Sequence, residues 1–331
     1  MTSVDATLKN LAAEAEPVSV AALYGLSGLE RADVEKVRSV WPTFAADRRA
    51  VAMRHLVEIA EDNFEVDFSA IYRLGLVDKE AVVRIAAIEG LWEDEDPTLI
   101  PILLNLLKDE SDDVRAAAAA ALGRFLYAGE LEDLPAAKVA PIKAALKAAF
   151  ANSVESVEVR RRALESLGFL SFEEVGDLLR QGYEHTDQKM RLSAVFAMGR
   201  SADDRWGEIA KHELDAADPE MRYEAARACG ELEYTPATRR LTELVDDVDE
   251  DVQLASVWAL GQIGGDKARQ TLQAVLESNA EHLHEEAEAA LDELEFKGNN
   301  LDFAMFDFED DDEDEEWVLD QDVDEDEDDE D

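Results

Sequence analysis

The chain has 331 residues, of which 47% are hydrophobic and only 7% aromatic, a composition that favours closely packed helices over strands. Its formal net charge of −47 excludes a nucleic-acid-binding surface, which needs clustered Lys and Arg, and argues against contact with a membrane. The single cysteine, Cys229, excludes a disulfide framework and a thiolate metal site, and we expect it to be buried.

Residues 1–30 are irregular, and we expect them to form a helical N-terminal cap. They contain no basic start followed by an apolar run, as a signal peptide would, and no part of the chain approaches the roughly 18 apolar residues of a spanning helix. We therefore expect a soluble, cytoplasmic protein. A first, irregular repeat follows over 31–62, with Arg48 or Arg49 at its anchor position.

From residue 80 onward a pattern recurs, and its anchor position is most often an arginine that follows an apolar residue. The anchors are Arg84, Arg115, Arg160, Arg191, Arg222, Gln253 and His284. Every step is 31 residues except one of 45, which predicts an insertion of 14 residues near 127–141. A fixed period of this length is the signature of a helical solenoid, in which each repeat buries its apolar face against its neighbours.

Columns of this pattern predict the helices. Small residues such as Ala87 and Ala118 stand three positions after the anchor, and apolar residues seven positions after it. Capping residues stand four positions before it, as at Asp218, which Pro219 follows. The anchor therefore lies in the second helix of each pair, and a glycine eight positions later marks the approach to its end. The first helices are predicted within 99–107, 175–182, 209–216, 239–245 and 268–276.

We thus predict an all-α fold: a right-handed α-solenoid of about eight antiparallel helix pairs over residues 31–298. An acidic tail follows over 299–331. The stretch from Asp112 to Gly123, and that from Asp218 to Gly230, resemble HEAT repeats of the short type found in phycobilisome lyase-like proteins. This resemblance implies a ladder of hydrogen bonds between Asp and Arg of successive repeats, with Asp187, Asp218 and Asp249 as the carboxylates. It also implies weakening toward the C-terminus, where Gln253 and His284 replace arginine.

Two enzyme-like branches of the family remain as alternatives, namely bilin lyases and deoxyhypusine hydroxylase. The iron site of that hydroxylase uses paired His-Glu dipeptides, and here only His212-Glu213 and His284-Glu285 form one. The segment that comes nearest to a ligand motif, Arg222 to Ala226, has Tyr223 where His would be required. We therefore predict no catalytic residue, no metal site and no cofactor.

Candidate protein-binding residues lie one and five positions after three consecutive anchors. They are Leu192 with Phe196, Tyr223 with Arg227, and Leu254 with Trp258. Consecutive repeats would align them into an apolar and aromatic strip, and such side chains in a groove are typical interaction anchors. The alternative is that they pack between repeats.

The C-terminal segment is predicted to be disordered, because residues 302–331 contain 20 Asp or Glu and no Lys or Arg. Apolar residues interrupt the acidic sequence, and Phe303, Phe306, Phe308 and Trp317 are further candidate binding residues. The tail either binds a basic partner, caps the last repeat or keeps the array soluble.

The sequence thus favours a non-enzymatic scaffold, adaptor or assembly factor that binds protein partners, basic ones among them. The alternatives are an enzyme or enzyme subunit related to the two branches above, and a nucleic-acid mimic or chaperone-like binder of basic proteins. Sequence alone leaves the oligomeric state open.

Overall fold

The computed structural model describes residues 3–306, without the side chains of Phe172 and of residues 297–306. The described residues form 18 α-helices and no β-strand. None of the described helices is both long enough and apolar enough to cross a bilayer.

The helices follow one another with short turns, several of which are single 3-10 turns. Their bounds are α1 Val4–Ala12, α2 Val20–Leu23, α3 Arg31–Val40, α4 Ala46–Asp62, α5 Ser69–Gly75, α6 Ala81–Glu89, α7 Ile100–Leu106, α8 Asp112–Glu130, α9 Ala136–Ala151, α10 Val157–Leu167, α11 Phe172–Tyr183, α12 Gln188–Arg200, α13 Gly207–Glu213, α14 Pro219–Glu231, α15 Thr238–Leu244, α16 Glu250–Ile263, α17 Gly265–Leu276 and α18 His284–Phe306.

Helices α3 to α18 form eight consecutive pairs, which confirms the predicted helical-repeat fold. The second helix of each pair carries the anchor position or, in α4, its equivalent, and we call α4, α6, α8, α10, α12, α14, α16 and α18 the anchor helices. Each anchor helix packs against the next along the array. The apolar columns form the core between them: Leu122, Leu167 and Leu260 have 0% exposure. Each pair therefore completes its core with the pair that follows.

Cys229 belongs to this core, as predicted, with 0% exposure. Burial raises the pKa of its thiol to about 12. The residue therefore behaves as a small apolar side chain.

The glycine column allows anchor helices to approach one another closely. A Cβ on Gly168 would lie 2.8 Å from the carbonyl oxygen and 2.9 Å from the Cα of Ala197 on the next anchor helix. A Cβ on Gly199 would lie 2.8 Å from the Cα of Ala228 in the same way. These glycines have no left-handed φ, so the reason for glycine here is space between helices. Gly264, with φ of 72°, does adopt a left-handed conformation and ends α16.

The additional residues predicted near 127–141 lie in longer helices. Helix α8 has 19 residues and α9 has 16, whereas α7 and α13 have seven each. Gly123 consequently lies inside α8 and not near its end.

The two arginines that competed for the first anchor have different partners. Arg48 donates from Nε, Nη1 and Nη2 to the backbone oxygens of Leu11, Glu16 and Asn10. Arg49 instead contacts Asp78 of the following repeat. Arg49 is therefore the anchor, and Arg48 satisfies carbonyl groups at the C-terminal end of α1 and in the loop that follows it.

An Arg–carboxylate ladder links successive repeats, but its carboxylates are not the predicted ones. Asp187, Asp218 and Asp249 cap their own helices by accepting backbone N–H groups. Where two successive anchors are 31 residues apart, the carboxylate that pairs with the first anchor lies six residues before the second. The pairs are Arg49–Asp78, Arg84–Asp109, Arg115–Glu155 and Arg222–Asp247.

The ladder is weaker at the C-terminal end, as predicted, because Gln253 and His284 have no guanidinium fork and contact the backbone oxygens of Asp247 and Ser278. The ladder is also interrupted in the middle of the array, which the sequence did not predict. Among the described residues, Arg160 and Arg191 pair with no carboxylate and contact backbone oxygens instead.

Helix α18 runs to Phe306, into the segment 299–331 for which we predicted disorder. The remainder of that segment, 307–331, lies outside the described residues, and so do Phe308 and Trp317. The side chains of Phe303 and Phe306 are likewise not described.

Candidate functional site

A groove of about 690 Å³ crosses the anchor helices α10, α12 and α14, and we call it the central groove. Its apolar walls are Leu192, Phe196 and Tyr223, and charged side chains surround them. All three apolar residues are half-buried. The anchor helices expose these positions because their opposite side packs on the first helices of each pair.

The predicted strip is therefore partly exposed and partly packed. Leu192 and Tyr223 line the central groove and also contact the core. Leu254 and Trp258 pack against the core, and the guanidinium of Arg227 lies 3.6 Å from the centre of the Trp258 ring. Packing between repeats thus describes Leu254 and Trp258, whereas Leu192, Phe196 and Tyr223 line an open groove, and their role in binding stays a prediction.

An ion network flanks the apolar walls. Glu165 accepts from Arg161 Nη1 at 3.1 Å and from Arg162 Nη1 at 2.9 Å, and it also accepts from Ser193 Oγ at 2.5 Å. Arg162 Nε and Arg161 Nε both reach Glu158, at 3.1 and 2.6 Å. Glu165 therefore pairs with two arginines of its own helix, which it shares with Glu158.

Glu224 differs from its neighbours because it forms no hydrogen bond or ion pair with any described residue. It is half-buried beside Phe196 and Tyr223. Burial, together with the negative charges of Glu165 and Glu231, raises the pKa of Glu224 to about 7 against the opposing effect of Arg227 and Arg200. The groove therefore holds a carboxyl group whose ionised form is disfavoured near neutral pH and would be stabilised by a nearby cation.

Replacing Glu224 by glutamine is expected to change stability in a pH-dependent way. The pKa in the folded state exceeds the ordinary value, so the folded state retains a proton and the wild-type protein loses stability as pH rises from about 4.3 to about 7. Glu224→Gln should therefore unfold at higher urea than wild type at pH 8 and at the same urea at pH 4. The exposed Glu220→Gln is the control, and equal differences at both pH values would contradict this assignment.

A second groove of about 540 Å³ adjoins the first and crosses α6, α8 and α10. It is lined by Ile85, several alanines and Trp92, whose side chain is 66% exposed, and it shares Arg162 with the central groove. Sequence reasoning missed Trp92. The signal was present, because Trp92 stands eight residues after Arg84, where the five following repeats have glycine.

Within residues 3–306, no group of three or more His, Cys, Asp or Glu side chains is placed to hold a metal ion. His282 Nε2 lies 2.7 Å from Gln253 Oε1, and His284 Nε2 lies 3.2 Å from the backbone oxygen of Ser278.

Solved structures with a similar fold include two natural enzymes or enzyme subunits. The complex of CpcE and CpcF of phycocyanin lyase, from a Nostoc species, has 16% identity and a TM-score of 0.53, and the match covers 79% of this chain and 95% of that chain. Human deoxyhypusine hydroxylase has 18% identity and a TM-score of 0.35, with 80% and 96% covered. At these identities the likeness concerns the fold alone. No curated protein matches the chain in sequence.

A family model described as HEAT repeats matches residues 69–140 and 208–292. These segments contain the anchors Arg84, Arg115, Arg222, Gln253 and His284, and the second segment contains the apolar and small-residue columns of α14 and α16. The eight stacked helix pairs agree with that match. The chain therefore contains HEAT repeats over residues 69–140 and 208–292.

Proposed function

We propose that the protein is a non-enzymatic, cytoplasmic scaffold whose central groove binds a partner segment with apolar and basic side chains. The observation that carries this proposal is Glu224, a half-buried carboxyl group without an ion pair among the described residues, next to Phe196 and Tyr223. A Lys or Arg side chain of a partner complements this site in two ways. Its aliphatic stem packs against the aromatic walls, and its cation pairs with the carboxylate.

The charge of the whole chain supports a basic partner. The net charge of −47 attracts basic proteins over long distances and increases the rate of encounter at low salt. The acidic tail extends the attracting surface, while Leu192, Phe196 and Tyr223 supply the desolvated contact that gives a complex its lifetime. The acidic charge, including that of the tail, therefore attracts the basic partner, and the groove residues retain it once it is bound.

Capture of partners from an extract of the native cell tests this proposal with matched variants. Tyr223→Ala and Glu224→Lys are expected to reduce recovery of a groove-binding partner by about tenfold, because truncating a central aromatic contact or reversing the charge costs at least ~1.4 kcal/mol. Phe64→Ala is the control, since Phe64 is 89% exposed and lies on the loop after α4. Equal recovery with all variants would contradict a groove-bound partner.

A chain that ends at Phe308 separates the two surfaces. A partner retained without residues 309–331 binds the solenoid, and a partner lost with them binds the tail.

Competing hypotheses of an enzyme or enzyme subunit predict stoichiometric iron in the purified protein or transfer of a bilin, and either result would replace the scaffold proposal.

A further inference from the structure

The ladder arginines share two contacts: Nη1 donates to the backbone before the anchor helix, and Nη2 donates to the carboxylate of the next repeat. Arg222 Nη1 donates to the backbone oxygens of Ala216 and Ala217 at 3.0 and 3.1 Å. Its Nε and Nη2 then point to the next repeat and donate to both carboxylate oxygens of Asp247, at 2.9 and 2.7 Å. Arg115 repeats this arrangement, with Nε and Nη2 at 3.1 and 2.7 Å from Glu155. The backbone carbonyls thus orient the guanidinium for a two-pronged carboxylate contact.

Arg191 has the same orientation but lacks the carboxylate. Its Nη1 donates to the backbone oxygens of His185 and Thr186, at 3.1 and 3.2 Å, as Arg222 does one repeat later. The residue that corresponds to Asp247, 31 positions earlier, is Ala216. Nε and Nη2 of Arg191 consequently have no partner among the described residues, although the side chain is half-buried.

We propose that Arg191 binds a carboxylate from outside the repeat array, at the position that Asp247 occupies one repeat later. The planar fork of the guanidinium matches the two oxygens of a carboxylate, and holding it in place beforehand reduces the entropy lost on binding. Arg222 adds positive charge from the following repeat, as Arg115 does beside Asp109. The ligand class is an Asp or Glu side chain or a chain terminus.

The surroundings limit the affinity of this site. Asp187 and Asp218 cap α12 and α14 on the same edge of the array, and their charge disfavours a lone anion. A carboxylate that belongs to a tethered or multivalent acidic segment overcomes this repulsion by its high effective concentration. Two sources satisfy that condition, an acidic segment of a partner and the acidic tail of this chain. The proposal does not rest on the central groove.

Nitrogen-15 NMR of arginine Nε–Hε groups in the full chain tests the proposal, with acetate as the probe at constant ionic strength. Arg191→Gln assigns the signal, and the exposed Arg54, which forms no ion pair with the described residues, is the control. Ala216→Asp supplies the missing carboxylate within the chain and gives the position of the bound signal.

The expected result is a saturable shift of the Arg191 signal toward the Ala216→Asp position, with the acetate response reduced about tenfold in Ala216→Asp. If the wild-type Arg191 signal already lies at the Ala216→Asp position without acetate, at every protein concentration, the tail of the same chain is the source of the carboxylate. If the signal moves only when acetate is added, the carboxylate comes from a partner. An Arg191 signal that follows Arg54 throughout the titration, or that Ala216→Asp does not move, overturns the proposal. Groove variants leave this readout unchanged, so its failure is separate from failure of the scaffold proposal.

Discussion

Replacing Asp78 by alanine is expected to lower the free energy of unfolding by about 3–5 kcal/mol, the range for removing one partner of a buried ion pair. The side chain of Asp78 is 3% exposed and that of Arg49 is 7% exposed. Asp78 accepts from Arg49 Nε and Nη2 at 2.8 and 2.9 Å, from Trp41 Nε1 at 2.9 Å and from the backbone N–H of Glu80 at 3.0 Å. Alanine at this position leaves the Arg49 guanidinium buried without its anion.

The pH dependence of this loss has a definite sign. Burial raises the pKa of Asp78, but the hydrogen bonds from Arg49, Glu80 and Trp41 lower it more, so the pKa lies below its usual value. Its contribution to stability is therefore present above about pH 4, the ordinary pKa of aspartate, and is lost as pH falls through the folded-state pKa. The difference between wild type and Asp78→Ala should shrink in strong acid.

Urea unfolding followed by circular dichroism measures this effect, and amide exchange locates it. Because repeat arrays can open locally, the largest increase in exchange is expected in α4 and α6, the two helices that this pair joins. Asp62→Ala is the control, since Asp62 is exposed at the end of α4. Losses of similar size in both variants would show that the ladder contributes no special stability.

A methyl group at Gly168 is expected to destabilise the protein by about 2 kcal/mol, although alanine favours helices by about 1 kcal/mol over glycine. The new Cβ would lie 2.8 Å from the carbonyl oxygen of Ala197 and 2.9 Å from its Cα, and backbone cannot rotate away. The anchor helices α10 and α12 must therefore separate. Thermal unfolding of Gly168→Ala measures the cost.

Gly182→Ala provides the matched comparison for this prediction. Its new Cβ would meet the tip of the Leu164 side chain at 2.4 Å, and a side-chain end can adopt another rotamer. Its effect is expected to stay within about 1 kcal/mol of zero, because the gain in helix propensity offsets the local repacking. A Gly168→Ala protein as stable as Gly182→Ala would contradict the close-approach explanation.

The fold was predictable from sequence because each repeat encodes its own helices. Apolar and small residues at fixed offsets, together with caps such as Asp218, define a helix within one repeat. The ladder was not predictable in the same way. Asp247 and Asp249 lie two residues apart in one loop, and only the positions of Arg222 and of the α16 N-terminus decide which one bridges and which one caps.

The candidate site, like the fold, was predictable from sequence only in part. The sequence identified Leu192, Phe196 and Tyr223 from their column, and the structure places them in one groove. It did not identify Glu224 as an unpaired carboxyl group, because that depends on how Glu165 and Glu231 share the neighbouring arginines. Departures from the repeat were the useful signal, both at Trp92 and at Ala216.

Arg162 lines both grooves, and this shared wall sets a minimum length for a partner that occupies the two together. The combined surface runs from α6 to α14, which are four helix spacings apart at about 8–10 Å each, or roughly 30–40 Å. An extended peptide needs about 10–12 residues to cover that distance, whereas a helix needs about 20–27. The number of repeats between Trp92 and Tyr223 thus sets the length of peptide that can contact both residues, and a shorter peptide contacts only one of them.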